Sequence, residues 1–130
     1  MNADLLPTEA QLRTLARCYL AALEAAALDD VLALFAPGAQ VDSPLYGALP
    51  AADFYPQLFR DTVRSRTRLL SVLGGRDVES GAPTAAIHFH YEWDRGTDTV
   101  GFDVVDVLQL DENGLILRLS ILYDAGRTRR

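Results

Sequence analysis

The clearest pattern in the chain is a strict alternation between residues 84 and 93. Ile87, Phe89, Tyr91 and Trp93 fall on one side of it, and His88, His90 and Glu92 on the other. Side chains two apart share a face in an extended strand, so Thr84 to Trp93 is predicted to be one. Asp94-Arg95-Gly96 then turns the chain into a long hairpin from Asp98 to Asp124. The hairpin reverses at Asp111-Glu112-Asn113-Gly114, where Asn-Gly supplies the positive backbone φ that a tight reversal needs. Its first arm places Phe102, Val104, Asp106, Leu108 and Leu110 on one face. Its second arm sends Leu119, Ile121 and Tyr123 one way and Arg118, Ser120 and Asp124 the other. Thr67–Leu73 and Gly75–Val78 are predicted as two further strands, followed by a turn at Glu79 to Pro83.

The first half of the chain has the helical period. Thr8 is a good N-cap, and Gln11 three places later completes a capping-box pattern. Leu12, Leu15, Ala16, Tyr19, Leu23 and Ala26 then recur at helical spacing, with Arg13, Arg17 and Glu24 opposite. A shorter helix is predicted from Asp29 to Phe35, stopped by Pro37-Gly38. A short strand, Ala39 to Asp42, and a loop, Ser43 to Pro50, come next. Ala51 to about Val63 reads as a third helix with Phe54, Leu58 and Phe59 inward, and Pro56 in its opening turns. Helices first and a meandering antiparallel sheet afterwards predict an α+β fold, a single domain over residues 1–130 with the helices covering one face of a curved sheet.

Composition narrows the partners. A chain of 130 residues, 49% hydrophobic, can bury a sizeable core or enclose a pocket. Its formal charge of −6 argues against nucleic acid or an anionic membrane surface as partner. No apolar run approaches the roughly 18 residues of a membrane span. The single cysteine, Cys18, excludes an internal disulfide and suits a reducing compartment. The opening MNADLLPTEAQLR lacks the basic and apolar regions of a signal peptide, so a cytoplasmic protein is expected. The basic residues, apart from two histidines, are all arginine, which points to a GC-rich bacterial genome.

Two positions break the apolar pattern. Asp106 is a carboxyl group on a face of otherwise apolar side chains, and Tyr19 carries a hydroxyl in the middle of an apolar helical stripe. A buried carboxylate without a partner costs several kcal/mol or more, so such a group takes a proton or finds a donor. Asp106 is therefore the first candidate for chemistry. His88, His90 and Glu92 share a strand face, which is workable metal geometry, but no further His or Cys completes a site and the opposite face is the apolar one. A metal is not expected. Arg60, Arg64, Arg66 and Arg68 form a basic cluster that reads as a solvated helix end.

The phrase CYLAALEAAALDDVLALFAPGAQVDSPLYG resembles the opening helices and first strand of the NTF2-like superfamily, and FDVVDVLQLDENGLILRLSILYD resembles its last hairpin. The nearest likeness is to the SnoaL-like and ketosteroid isomerase-like branch. The resemblance implies a cone in which a bent, mostly antiparallel sheet wraps the long helix around an apolar pocket. It also implies a homodimer through the outer sheet face and no cofactor. In the isomerases of that branch, a helix tyrosine and a protonated aspartic acid form an oxyanion hole. Tyr19 and Asp106 match them by position.

The general base of those isomerases is an aspartate just before a proline. Here Val41-Asp42-Ser43-Pro44 puts Ser43 at the base position and Asp42 one residue early, where only a bulge would turn it inward. A serine hydroxyl is far too weak a base to abstract a proton beside a carbonyl. Some cyclases of the branch work with a single acidic residue, a role Asp106 could fill. Epoxide hydrolases of the fold need an Asp-Arg-Asp set in the pocket, and neither inward strand series holds an arginine. The expected pocket lining is Phe35, Phe54, Leu58, Phe59, Ile87, Phe89, Tyr91, Phe102, Val104, Leu119, Ile121 and Tyr123. Two functions follow: a cofactor-independent isomerase, cyclase or lyase for a small apolar carbonyl compound, or a non-catalytic ligand-binding or dimerisation module.

Overall fold

Helix α1 (Glu9–Glu24) starts where Thr8 leaves extended backbone. The Thr8 hydroxyl accepts the Gln11 N–H at 3.1 Å, and the Gln11 side chain accepts the Thr8 N–H at 2.8 Å, so two orphan donors of the first turn are satisfied. Its apolar stripe buries Leu12, Ala16, Tyr19, Leu20 and Leu23. The computed structural model describes residues 6–128. Expectations resting on Met1 to Leu5 lie outside the described residues.

The remaining elements are α2 (Leu28–Leu32), β1 (Phe35–Ser43), β2 (Gly47–Pro50), α3 (Ala51–Arg60), β3 (Arg64–Arg76), β4 (Pro83–Asp94), β5 (Thr99–Leu110) and β6 (Ile116–Leu122). A short 3₁₀ turn, Ala125–Thr128, follows. The six strands form one sheet in the order β2-β1-β6-β5-β4-β3. Every neighbouring pair is antiparallel except β1 with β6, which run parallel. The result is an α+β fold with helices packed on a mostly antiparallel sheet. No described helix is long and apolar enough to cross a membrane.

The register carries the sequence pattern into space. Ile87, Phe89, Tyr91 and Trp93 of β4 are buried on the helix-covered face, opposite Asp106, Val104, Phe102 and Val100 of β5. His88, His90 and Glu92 point to the outer face. The register shifts at Leu70 in β3 and at Leu117 in β6, where one extra residue stands opposite a continuous partner strand, and the pairing is irregular between Phe35 and Gln40 of β1; such shifts bend a sheet.

Several predicted boundaries move, the third helix among them, which ends at Arg60 rather than near Val63. The second helix ends at Leu32, and Phe35 opens β1 instead of closing the helix. Pro37-Gly38 lies inside β1 at its register shift, where Gly38 takes a φ of +76° and the missing proline N–H costs no ladder bond. The stretch from Ser43 to Pro50 is a tight hairpin, β1 to β2, rather than a loop. The strands predicted on either side of Gly74 are one continuous strand, β3.

Gly74 explains why that strand pattern looked broken. A Cβ built there would come 2.7 Å from Leu12 Cδ1, so the buried Leu12 side chain of α1 would have to move, whereas one on Gly75 would meet nothing within 4 Å. Gly74→Val is therefore expected to lose roughly 1–3 kcal/mol by overpacking against α1. Gly75→Ala is expected to stay within about 0.5 kcal/mol of the parent. Urea unfolding midpoints of the two variants check this.

Candidate functional site

One cavity opens between the sheet, α1 and α3. Its volume is about 60 Å³. The walls come from Tyr19 and Leu23 of α1, Phe54 and Leu58 of α3, Phe89, Tyr91 and Trp93 of β4, and Phe102, Val104 and Asp106 of β5. Ile121 and Tyr123 close the next side, and Ser43, Leu45 and Tyr46 form the lip. The rings touch edge to face: Phe89 with Tyr91, Tyr91 with Phe102, Tyr46 with Phe54. Such contacts hold the walls in place without filling the centre.

Two polar features lie deep in this apolar space. The Tyr19 hydroxyl is 2.8 Å from the Tyr55 hydroxyl, both rings being buried. Tyr55 does not line the cavity and has no other hydrogen-bond partner among the described residues, while Tyr19 does line it. Either hydroxyl can donate in this pair; with Tyr55 as donor, the Tyr19 proton is left for a ligand. Burial, with Tyr55 and Asp106 adding to it, holds the Tyr19 hydroxyl well above the usual phenol range.

Asp106 is 1% exposed, and its Oδ1 has no hydrogen-bond partner among the described residues. Burial alone drives its carboxyl well above the usual carboxylate range, because no donor or cation stabilises the charged form. Burial also pushes the Tyr91 hydroxyl up to about 12. Among the described residues lining the cavity, Asp106 is thus the one carboxyl group, and it favours the protonated form.

The lip is a hydrogen-bonded turn. Ser43 Oγ accepts the N–H of Leu45 at 3.1 Å and of Tyr46 at 3.2 Å, and the Tyr46 hydroxyl donates to Asp61 Oδ2 at 2.6 Å. Trp93 Nε1 donates to Thr62 Oγ1 at 2.7 Å, fixing the indole wall. Behind Trp93 the Arg95 guanidinium sits 5.2 Å from the ring centroid, its side chain 1% exposed. It is paired with Asp98 and donates to the Thr128 carbonyl at 2.7 Å, tying the C-terminal 3₁₀ turn to the sheet.

Solved structures share this architecture. An NTF2-like protein of unknown function from Exiguobacterium sp. 255-15 is similar over 85% of this chain and 98% of its own, with a TM-score of 0.70 and 17% identity. A SnoaL-like protein of unknown function from Burkholderia thailandensis aligns over 91% and 98%, with a TM-score of 0.71 and 19% identity. SalBIII, described as an epoxide hydrolase/cyclase-like enzyme in pyran ring formation in the polyether salinomycin, aligns over 92% and 95%, with a TM-score of 0.73 and 14% identity. The fold is NTF2-like. No family model and no curated protein sequence matches the chain.

Within the NTF2-like cone, the predicted site residues separate into two groups. Tyr19, Ser43 and Asp106 line one cavity, together with Phe54, Leu58, Phe89, Tyr91, Phe102, Val104, Ile121 and Tyr123. Asp42 does not join them. No bulge interrupts β1 at Asp42, so alternation turns it to the outer face, where its carboxylate accepts from Arg118 Nε at 2.6 Å and lies 3.3 Å from Ser120 Oγ. Phe35, Phe59, Ile87 and Leu119 also lie outside the lining. Phe35, Ile87 and Leu119 belong to the buried core, and Phe59 packs against it.

Leu23, Leu45, Tyr46 and Trp93 line the cavity without having been expected there, and Tyr55 supports it. Tyr55 follows Ala51 by one helical turn on the buried face of α3, a spacing visible in the sequence. Leu45 and Tyr46 carried no periodic signal because they belong to a turn. On the outer face His90 Nδ1 lies 2.8 Å from Asp103 Oδ1 and His88 Nε2 lies 3.6 Å from Asp103 Oδ2. No group of three or more His, Cys, Asp or Glu side chains among the described residues could hold a metal ion.

The raised Asp106 pKa has a consequence for stability. The native chain keeps a proton that the unfolded chain has released, so stability falls as pH rises from the ordinary carboxylate value of 3.8 through the folded pKa. Asp106→Asn removes that slope. Thermal melts across this window are expected to show the variant gaining on the parent as pH rises, with the parent's melting temperature falling and the variant's staying level.

Proposed function

We propose that the protein binds a small apolar carbonyl compound in this cavity and acts on it as a cofactor-independent isomerase, cyclase or lyase. The observation that supports the reading is the unpartnered Asp106 carboxyl and Tyr19 lining the same, mostly apolar cavity. A carbonyl oxygen placed there would meet a neutral carboxylic acid and, with Tyr55 as donor to Tyr19, a phenol. Both donors are in position before charge develops, which is how a preorganised site stabilises an enolate. Asp106 would pass its proton to the substrate and recover one from it, acting as acid and base in turn. The cyclase-like description of SalBIII is compatible with this chemistry.

α-Proton exchange tests it. Small cyclic ketones incubated with the protein in deuterium oxide are expected to lose their α-protons, as read by NMR. Asp106→Asn is expected to reduce that rate by about 10²–10⁴-fold with the fold intact. An unchanged rate in the variant would overturn the catalytic role. Absence of exchange with the native protein would leave the binding module, a reading favoured by Ser43 Oγ being engaged in the turn and by no second carboxyl or imidazole lining the cavity among the described residues.

We also infer a cytoplasmic homodimer. Across the outer face, one row runs Leu73, Ala86, Val107 and Ser120, and the next runs Ser71, His88, Val105 and Leu122. Leu73 is 64% exposed and Leu122 55%, which leaves an apolar strip uncovered. The adjoining row of Arg68, His90 and Asp103 carries both charge signs that a two-fold partner can match. Sedimentation velocity is expected to show a dimer that Val107→Lys converts to a folded monomer. A monomeric parent would refute the assignment.

A further inference from the structure

We propose that Ser43 is a specificity-determining residue whose hydroxyl donates to a second oxygen of the ligand. The inference rests on the cavity being the ligand site. It starts from what the Ser43 oxygen is already doing. Two backbone N–H groups, from Leu45 and Tyr46, converge on Oγ at 3.1 and 3.2 Å. A hydroxyl has one donor and two acceptor positions, so both lone pairs are occupied. The oxygen can neither take a proton from a substrate nor accept from a ligand hydroxyl. Its own proton is uncommitted: no acceptor for it lies within hydrogen-bond distance among the described residues, and the residue lines the cavity. Two incoming N–H bonds also polarise the O–H and make it a better donor.

The strand register places this donor relative to the other. Val41 pairs with Leu119 and Asp42 with Ser120 in parallel register; the pairing ends there, and one more step along both strands leads to Ser43 and Ile121. Ile121 pairs with Asp106. Ser43, Ile121 and Asp106 therefore form one row across three adjacent strands. The outer two α-carbons are separated by two strand spacings, roughly 10 Å. All three side chains line the cavity. A hydrogen-bond donor thus stands on each side of an isoleucine, with apolar surface between them.

A ligand that fits this row has two acceptor oxygens joined by a short hydrocarbon span. One would be the reacting carbonyl at Asp106 and Tyr19; the other would be a ketone or ether oxygen at Ser43. A compound with one oxygen leaves the Ser43 proton without a partner when water is displaced from the cavity, and it binds less tightly for that reason. The residue that stands where a base is expected becomes a reader of the substrate's far end.

Matched ketone pairs test this: cyclohexanone against cyclohexane-1,4-dione, and a decalone against a decalindione. Affinities are measured by NMR shift titration for the parent, Ser43→Ala and Ser43→Thr. The parent is expected to prefer at least one diketone over its monoketone by about five- to tenfold. Ser43→Ala is expected to abolish that preference by lowering the diketone affinity about five- to tenfold more than the monoketone affinity, and Ser43→Thr to restore it. If the alanine variant fails to fold, Ser43→Cys reads the same ratio, because a thiol is a poor donor.

A preference unchanged by loss of the hydroxyl, or absent from the parent in both pairs, overturns the inference while monoketone binding keeps the pocket reading alive. Equal loss of both ligands in Ser43→Ala assigns the residue to holding the turn and also overturns it. If no ketone binds, this inference falls together with the reading it rests on.

Discussion

The molecule is arranged around a carboxyl group that has been taken out of water and given nothing in return. Every other buried polar side chain near the cavity has a partner: Tyr19 has Tyr55, Trp93 has Thr62, and Arg95 has Asp98 and Thr128. Asp106 Oδ1 has none among the described residues. An ionised group there would be costly, so the fold is more comfortable with a neutral acid, and a neutral acid is a hydrogen-bond donor. The cavity walls are mostly aromatic and apolar, and α1, packed on β3, brings a phenol to the same cavity. The same feature that weakens the fold at higher pH is the one that equips the cavity for chemistry.

The sequence made much of this legible, for identifiable reasons. Alternation in β4 and β5 is unambiguous because both strands have one buried and one outer face, so the inward position of Asp106 followed from its apolar neighbours. Tyr19 was legible for the same reason on a helix. The capping box at Thr8 and Gln11 set the start of α1. What stayed hidden was decided by tertiary contact. Gly74 looks like a break because the reason for a glycine there, the approach of Leu12, lies more than sixty positions away in sequence. Pro37-Gly38 looks like a helix stop because a bulge within a strand uses the same residues. Asp42 and Ser43 are adjacent, and only the regular pleat of β1 decides that the serine faces in and the aspartate out.

The lip shows how little of a cavity's outline comes from periodic elements. Leu45 and Tyr46 sit on a two-bond serine turn, and Tyr46 reaches across to Asp61 at the end of α3. On the other side Arg95 anchors the 3₁₀ turn behind Trp93. The mouth is framed by hydrogen bonds between turns, while the interior is framed by packing between strands and helices. These two kinds of restraint respond differently to their surroundings: exposed hydrogen bonds exchange readily with water, and packed rings do not.

The parallel contact between β1 and β6 bears on when this protein comes into being. Gln40 to Asp42 are joined to Arg118 to Ser120, so the centre of the sheet closes a loop of nearly eighty residues. During synthesis β6 emerges after every other strand of the sheet, and until it inserts, β1 and β5 have no common neighbour. The wall that carries Ser43 and Asp106 therefore does not exist in a partly made chain. Long-range closure of this kind is slow compared with helix formation. A small molecule that needs both residues would recognise the finished fold alone, and would draw the folding equilibrium toward completion without favouring any intermediate.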